Sequence, residues 1–300
     1  MKSGAGNRWI QVVIALGKSL CYLILFLGMQ FLVMVPVMLA AAIQLAANGG
    51  AADEGALYAL LTEHTMEFSL ISNLLILVFV LSFYLIRRKK LSEALWLRRV
   101  DAPALWTGAA LAPGLYLVVT VVLVLLPDAW LESYSEAASG LDGGGVIGVL
   151  AVAVAAPVVE EFIFRGLIMT RLSRAMPGWL AVVLSAAIFG ACHGHPVWFG
   201  YAFVLGVVFG FMDLRSGSIW PSILGHLTFN AIGQIFTLLP ESEEGTEIVV
   251  AMGVLLVVGI IAPILDRKGI AALFRPTAKA APLTEQTDSS RSYGYDPWDE

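Results

Sequence analysis

Apolar residues in this chain come in runs of about 20, each closed by a cluster of Gly, charged or amide residues. That is the length of a membrane-crossing helix, not of a soluble amphipathic one. Eight such runs follow one another: about Leu20–Ala47, Phe68–Ile86, Leu105–Leu126, Val146–Met169, Trp179–His193, Val197–Met212, Ile219–Leu239 and Ile248–Leu265. An interfacial helix holding Arg8 and Lys18 is expected before the first. Asn48-Gly49-Gly50 and Gly143-Gly144-Gly145 mark connectors, and no internal repeat or separate soluble domain breaks the series. The pattern predicts an all-α polytopic membrane protein with an integral membrane domain over 1–275. A polar tail over 276–300, rich in Thr, Ser and Asp, reads as disordered.

Composition sharpens the class. Hydrophobic residues make up 58% of the 300 and charged residues 14%, with mean hydropathy +0.82, whereas soluble domains carry about 25% charged residues. A globular enzyme with one anchor is excluded, and no nucleic-acid partner is expected. Cys21 and Cys192 fall in apolar runs and form no disulfide framework. The first run is too long for a secretory signal and lacks a small-residue cleavage site, so it reads as a retained span.

The net charge of −5 hides a segregation by side. If the eight runs alternate, all 18 Lys and Arg fall on one face: Lys2, Arg8 and Lys18, then Arg87–Lys90 with Arg98 and Arg99, then Arg165, Arg171 and Arg174, Arg215, and the group from Arg267 to Arg291. The opposite connectors hold acids such as Asp53, Glu63, Asp128, Glu132, Glu241 and Glu247, with His64 solvated among them. By the positive-inside rule both termini are cytoplasmic. A multi-pass protein of a bacterial cytoplasmic membrane is the expected location.

Within the fourth run, Glu160, Glu161 and Arg165 stand where a lone charge costs ~2.5–3.5 kcal/mol at the bilayer centre. They are expected to face the protein interior or a wet cavity. Glu161 lies four residues before Arg165, the spacing and order of a carboxylate–guanidinium pair on one helix face. Glu160 points about 100° away and has no such partner in its own helix, which leaves it free as a base. Pro157 lacks the N–H that would continue the helical ladder, so a kink there would admit water and polar side chains. Phe189 and His193 share a face at the end of the fifth run, and His226 and Asn230 share one in the seventh. A carboxylate, imidazoles and an amide are the parts needed to activate water and stabilise an oxyanion.

In this order, Glu-Glu-x-x-x-Arg, Phe-x-x-x-His and His-x-x-x-Asn, with Phe164, Gly166 and the Gly217–Ser222 lead, resemble the motifs of the CAAX-prenyl-protease and bacteriocin-processing family (CPBP, or Abi) of intramembrane proteases. The resemblance covers about Val146–Leu239. It implies an eight-helix fold and hydrolysis of a peptide bond inside the membrane. Glu160, His193, His226 and Asn230 would be catalytic, with Glu161, Arg165 and Phe189 in support. The implied partners are the lipid bilayer and a peptide or protein substrate; a lipidated CAAX protein, a maturing peptide and a bacteriocin all suit it. Two routes stay open. Glu160, His193 and His226 form a His₂Glu set of the kind catalytic zinc uses. Alternatively, Glu160 and His193 orient the water without a metal, and His226 with Asn230 receives the oxyanion.

Other chemistries find fewer supports. There is no His-Glu-x-x-His, no Gly-x-Ser-x-Gly and no intramembrane aspartate pair; Asp213 stands alone near a cytoplasmic helix end. Cys192 is not read as a nucleophile, because adjacent helical residues diverge. His195 before Pro196 reads as a helix-end residue, and Gly206 with Gly210 as a helix-packing pair. A non-hydrolytic scaffold that keeps the pocket for binding, and a proton-coupled transporter, are the rival functions.

Depth is the difficulty. Glu160 and His226 each lie about 11 residues, ~16 Å, from Arg171 and Arg215, whereas His193 lies about 19 residues, ~28 Å, from Arg174. The mismatch predicts that the fourth helix continues past the membrane through Thr170–Met176. The fifth should then be short and tilted, end at Gly194, and leave the Pro196 break inside the protein. The cavity is expected to open toward the cytoplasm.

Overall fold

The computed structural model of the chain describes residues 3–47, 55, 64–138, 145–239 and 246–274. Helices and turns account for all regular structure among them. Eight long helices follow the eight apolar runs: α1 (Ser3–Ala47), α2 (Thr65–Ile86), α3 (Ala102–Val124), α4 (Gly145–Ala175), α5 (Gly178–Ala191), α6 (Pro196–Ser216), α7 (Trp220–Thr237) and α8 (Thr246–Leu265). Among the described residues six of them are long and apolar enough to span a membrane; α5 and α7 are not. This is an all-α, multi-pass membrane protein. The tail from 276 lies outside the described residues.

Helix α1 corrects one expectation. No separate interfacial helix precedes it: a single helix runs from Ser3 to Ala47, with Lys18 inside it. Nothing between Trp9 and Leu20 breaks a helix except Gly17, whose cost of about 1 kcal/mol is less than that of ending and restarting one.

Helix α4 is the axis of the bundle. Its second half is buried without interruption from Glu161 to Thr170 and packs on Phe26 of α1, Tyr84 of α2 and Ala181 and Phe189 of α5. Near the end of α4, Arg171 ties four elements together. It donates to the Ala94 carbonyl at 3.0 Å and to the Tyr84 hydroxyl at 2.9 Å, and lies 5.2 Å over the Tyr22 ring. On the other side α3 and α7 cross at Gly108 and Gly225. A Cβ on Gly108 would collide with the Pro221 carbonyl, and one on Gly225 would fall 2.9 Å from Phe209 Cε1. Gly206 and Gly210 serve packing as expected: added Cβ atoms would meet Ala186 and Val182 of α5 at 2.9 and 3.0 Å.

The depth mismatch is resolved much as predicted. α4 continues through Thr170–Ala175, and α5 has only 14 residues, ending at Ala191. At 1.5 Å per residue that is about 21 Å, less than the hydrocarbon thickness of roughly 30 Å. The turn that follows uses Gly194 at φ +72°, and His195 caps α6, its Nδ1 accepting from the Val197 N–H at 3.3 Å. Gly194 and Pro196 are exposed, so this break is not enclosed by protein as anticipated. Among the described residues the short helix Asp128–Ala138 lies beside it, where Ser133 reaches His195 at 3.2 Å.

Candidate active site

The local backbone of α4 departs from α-helical geometry on both sides of the glutamates. Val149–Ala155 and Glu161–Met169 are π-helical, separated by Ala156–Glu160. Such stretches are rare and concentrate at functional sites. In the first, the Ala156 N–H bonds the Ala151 carbonyl, five residues back. In that register the next donor would be residue 157, which is proline and has none. The Val152 carbonyl is orphaned, and Asn230 of α7 supplies the missing bond, its Nδ2 donating at 2.8 Å. Pro157 therefore acts less as a kink than as the reason that an amide from another helix is drawn to α4.

The two glutamates diverge as expected. Glu161 is fully buried, with Oε1 3.0 Å from Arg165 Nη1 and 2.8 Å from His226 Nδ1. The Arg165 guanidinium lies 4.4 Å over the Phe189 ring, and Gly206 leaves the room it occupies. Glu160, whose side chain is 18% exposed, sits with Oε2 3.6 Å from His226 Nε2. His226 thus stands between both carboxylates. Its Nδ1–H donates to Glu161, which turns Nε2 toward Glu160.

His193 is set by its own helix end. Its Nδ1–H donates to the Phe189 carbonyl at 2.9 Å, leaving the Nε2 lone pair for the cavity. The Phe189 ring packs against both imidazoles, 4.8 Å from His193 and 5.8 Å from His226, centroid to centroid. Glu160, Phe164, Phe189 and His193 all line one cavity of about 380 Å³. Cys192 lines it as well, because the helix ends at Ala191 and the turn lets both neighbours face inward; the divergence expected of helical neighbours does not apply there.

The structure therefore brings Glu160, Glu161, Arg165, Phe189, His193 and His226 together. Asn230 is held at Val152 and is not among the cavity-lining residues. Glu160, His193 and His226 do not form a coordination set: among the described residues no group of three His, Cys, Asp or Glu side chains is placed to hold a metal ion. Both His Nδ1 atoms are committed to hydrogen bonds, and His226 Nε2 faces Glu160 directly.

Sequence reasoning missed Asp213. It does not stand alone. It is fully buried, its Oδ1 accepts the Ser222 N–H at 3.3 Å, and it lies within electrostatic range of Glu161 and Arg165, with the Ser222 side chain within reach of both carboxylates. A carboxylate directly at the end of an apolar run was itself the signal. Also missed were Gln30 of α1 and Ser69, Ser72 and Asn73 of α2, which form a polar cavity wall; amides inside apolar runs could have pointed to it.

Comparison with known proteins agrees with the motif reading. Residues 143–232 match the family described as type II CAAX prenyl endopeptidase Rce1-like. Over 92 residues the chain is 29% identical to YdiL of Bacillus subtilis (strain 168), a protein provisionally named a membrane peptidase. That match covers 31% of this chain and 38% of the relative's length. No solved structure matches significantly.

Proposed function

We propose that this chain, whose residues 143–232 match the type II CAAX prenyl endopeptidase Rce1-like family, is an intramembrane endopeptidase that hydrolyses a peptide bond with water activated by Glu160. The substrate is a peptide or protein segment, and the setting is the bacterial cell membrane. The observation that carries this reading is the pairing of a partly exposed carboxylate with two imidazoles whose tautomers are already set by Glu161 and by the Phe189 carbonyl.

Water held between Glu160 and His193 Nε2 gives its proton to Glu160, and its oxygen attacks the scissile carbonyl carbon. The carbonyl electrons move onto oxygen. His226, protonated on both ring nitrogens, donates to the resulting oxyanion through Nε2–H and keeps its proton. Collapse breaks the C–N bond, and the proton on Glu160 passes to the leaving nitrogen. Glu161 and Arg165 take no part in bond making; they hold the His226 ring in place.

Peptidomics of membranes from cells expressing the wild-type chain or Glu160→Ala tests this reading. Peptides ending at a common site should be present with wild type and absent with the variant. Identical peptide pools, with both proteins present in equal amount, would favour the non-hydrolytic scaffold.

A further inference from the structure

Among the described residues the site is sealed toward one end of the bundle, and its cavity lies toward the other. Toward the ends of α2, α4 and α6 that meet the Lys- and Arg-rich connectors, the residues around the glutamates are sealed: Leu95, Met169, Leu172 and Asp213 are each 0% exposed and Arg165 1%. The connector between α2 and α3 is laced down over this end, with the Ile219 N–H donating to the Trp96 carbonyl at 3.1 Å and Ser218 Oγ to the Arg98 carbonyl at 2.8 Å. The cavity lies the other way. Its walls come from the later part of α1 (Gln30, Met34), the first turns of α2 (Thr65, Ser69) and the far end of α5 (Cys192, His193). Each of these lies toward the helix end opposite the basic connectors.

We propose that the substrate reaches Glu160 from the face opposite the basic connectors, so that the enzyme acts on polypeptide segments displayed outside the cytoplasm. This is the reverse of the cytoplasmic opening expected from the sequence alone. Lys and Arg in short connectors mark the cytoplasmic side, and here they crowd the sealed face. The open wall is lined with hydroxyls and amides, Thr65, Ser69, Ser72, Asn73 and Gln30. Polar groups at membrane depth belong beside a water-filled space, and here they share the wall with the apolar side chains of Phe26, Met34 and Phe68. This inference rests on the proteolytic reading for what enters, but its geometry is separately testable.

The test reads sidedness without reading catalysis. In a Cys21→Ser background, Cys192 is the remaining thiol and lies in the cavity wall. In a background also carrying Cys192→Ala, Thr65→Cys places a thiol at the first turn of α2, and Ser92→Cys one on the basic connector. Spheroplasts and inverted membrane vesicles are treated with a membrane-impermeant maleimide. Cys192 and Thr65→Cys should label in spheroplasts and be protected in inverted vesicles, and Ser92→Cys should do the reverse. Labelling of Cys192 or Thr65→Cys together with Ser92→Cys in inverted vesicles alone would overturn the proposal, as would labelling of Ser92→Cys from outside. Because Cys192 is native, a variant that fails to fold does not rescue the idea. Proteolysis surviving in Glu160→Ala would sink the enzymatic reading while leaving the labelling pattern intact.

Discussion

The regions on the two sides of the Glu160–Glu161 peptide bond could hardly differ more. Behind Glu161 lies a dry layer in which Arg165, His226, Asp213 and Ser222 are all at least nine-tenths buried and point at one another. In front of Glu160 lies a cavity of about 380 Å³ with hydroxyls and amides in its wall. Chemistry needs a group that can exchange protons with water and substrate, which the dry layer cannot offer. Orientation needs partners that cannot rearrange, which the wet wall cannot offer. The Glu-Glu pair places one carboxylate in each.

Substitutions can break this division, and the sharpest is at the wet side. Glu160→Gln should lower turnover about 10²–10⁴-fold, the usual contribution of a positioned base, with thermal unfolding in detergent nearly unchanged. If stability falls along with activity, Glu160 belongs to the dry layer after all.

On the dry side the expectation inverts. Arg165→Met leaves Glu161 buried without its cation, and breaking one partner of a buried pair typically costs 3–5 kcal/mol. Thermal unfolding should shift strongly, with activity lost through loss of folded protein. An Arg165→Met variant as stable as wild type but inactive would move this residue to the catalytic side.

Asn230 lies between the two cases. If its main work is to satisfy the carbonyl orphaned by Pro157, Asn230→Ala should cost about 1–3 kcal/mol for the unsatisfied acceptor. Most of that cost should vanish in a Pro157→Ala background, where residue 157 regains its N–H. A turnover defect that persists in the double variant at wild-type stability would instead isolate the oxyanion contribution.

Asp213→Asn gives the smallest of these effects. The amide oxygen can still accept the Ser222 N–H, so a loss near 1 kcal/mol is expected, within the net range of a single hydrogen bond. A larger loss would mean that the aspartate's charge, and not its shape, balances Arg165.

Much of this was legible without coordinates. The apolar helices could be read, six of them of membrane-crossing length among the described residues, because the ~20-residue apolar run is imposed by the bilayer itself and not by packing. The Glu161–Arg165 pair could be read because i, i+4 neighbours meet on any helix. Shortening of α5 followed from counting residues against depth. The separate helix before α1 and the enclosed Pro196 break failed, since whether a helix continues, and whether its end is covered, depends on neighbours that local pattern does not contain.

The sequence by itself determined which residues carry charge into the membrane and how far apart they stand along each helix, since the helical period and the cost of burying charge act locally. Only the tertiary structure decided that His226 stands between both glutamates, that Asn230 answers the carbonyl left by Pro157, and that Asp213 joins the dry layer. Those depend on how α4 packs against α1, α2, α5 and α7, and contacts between elements far apart in the chain leave no periodic trace in it.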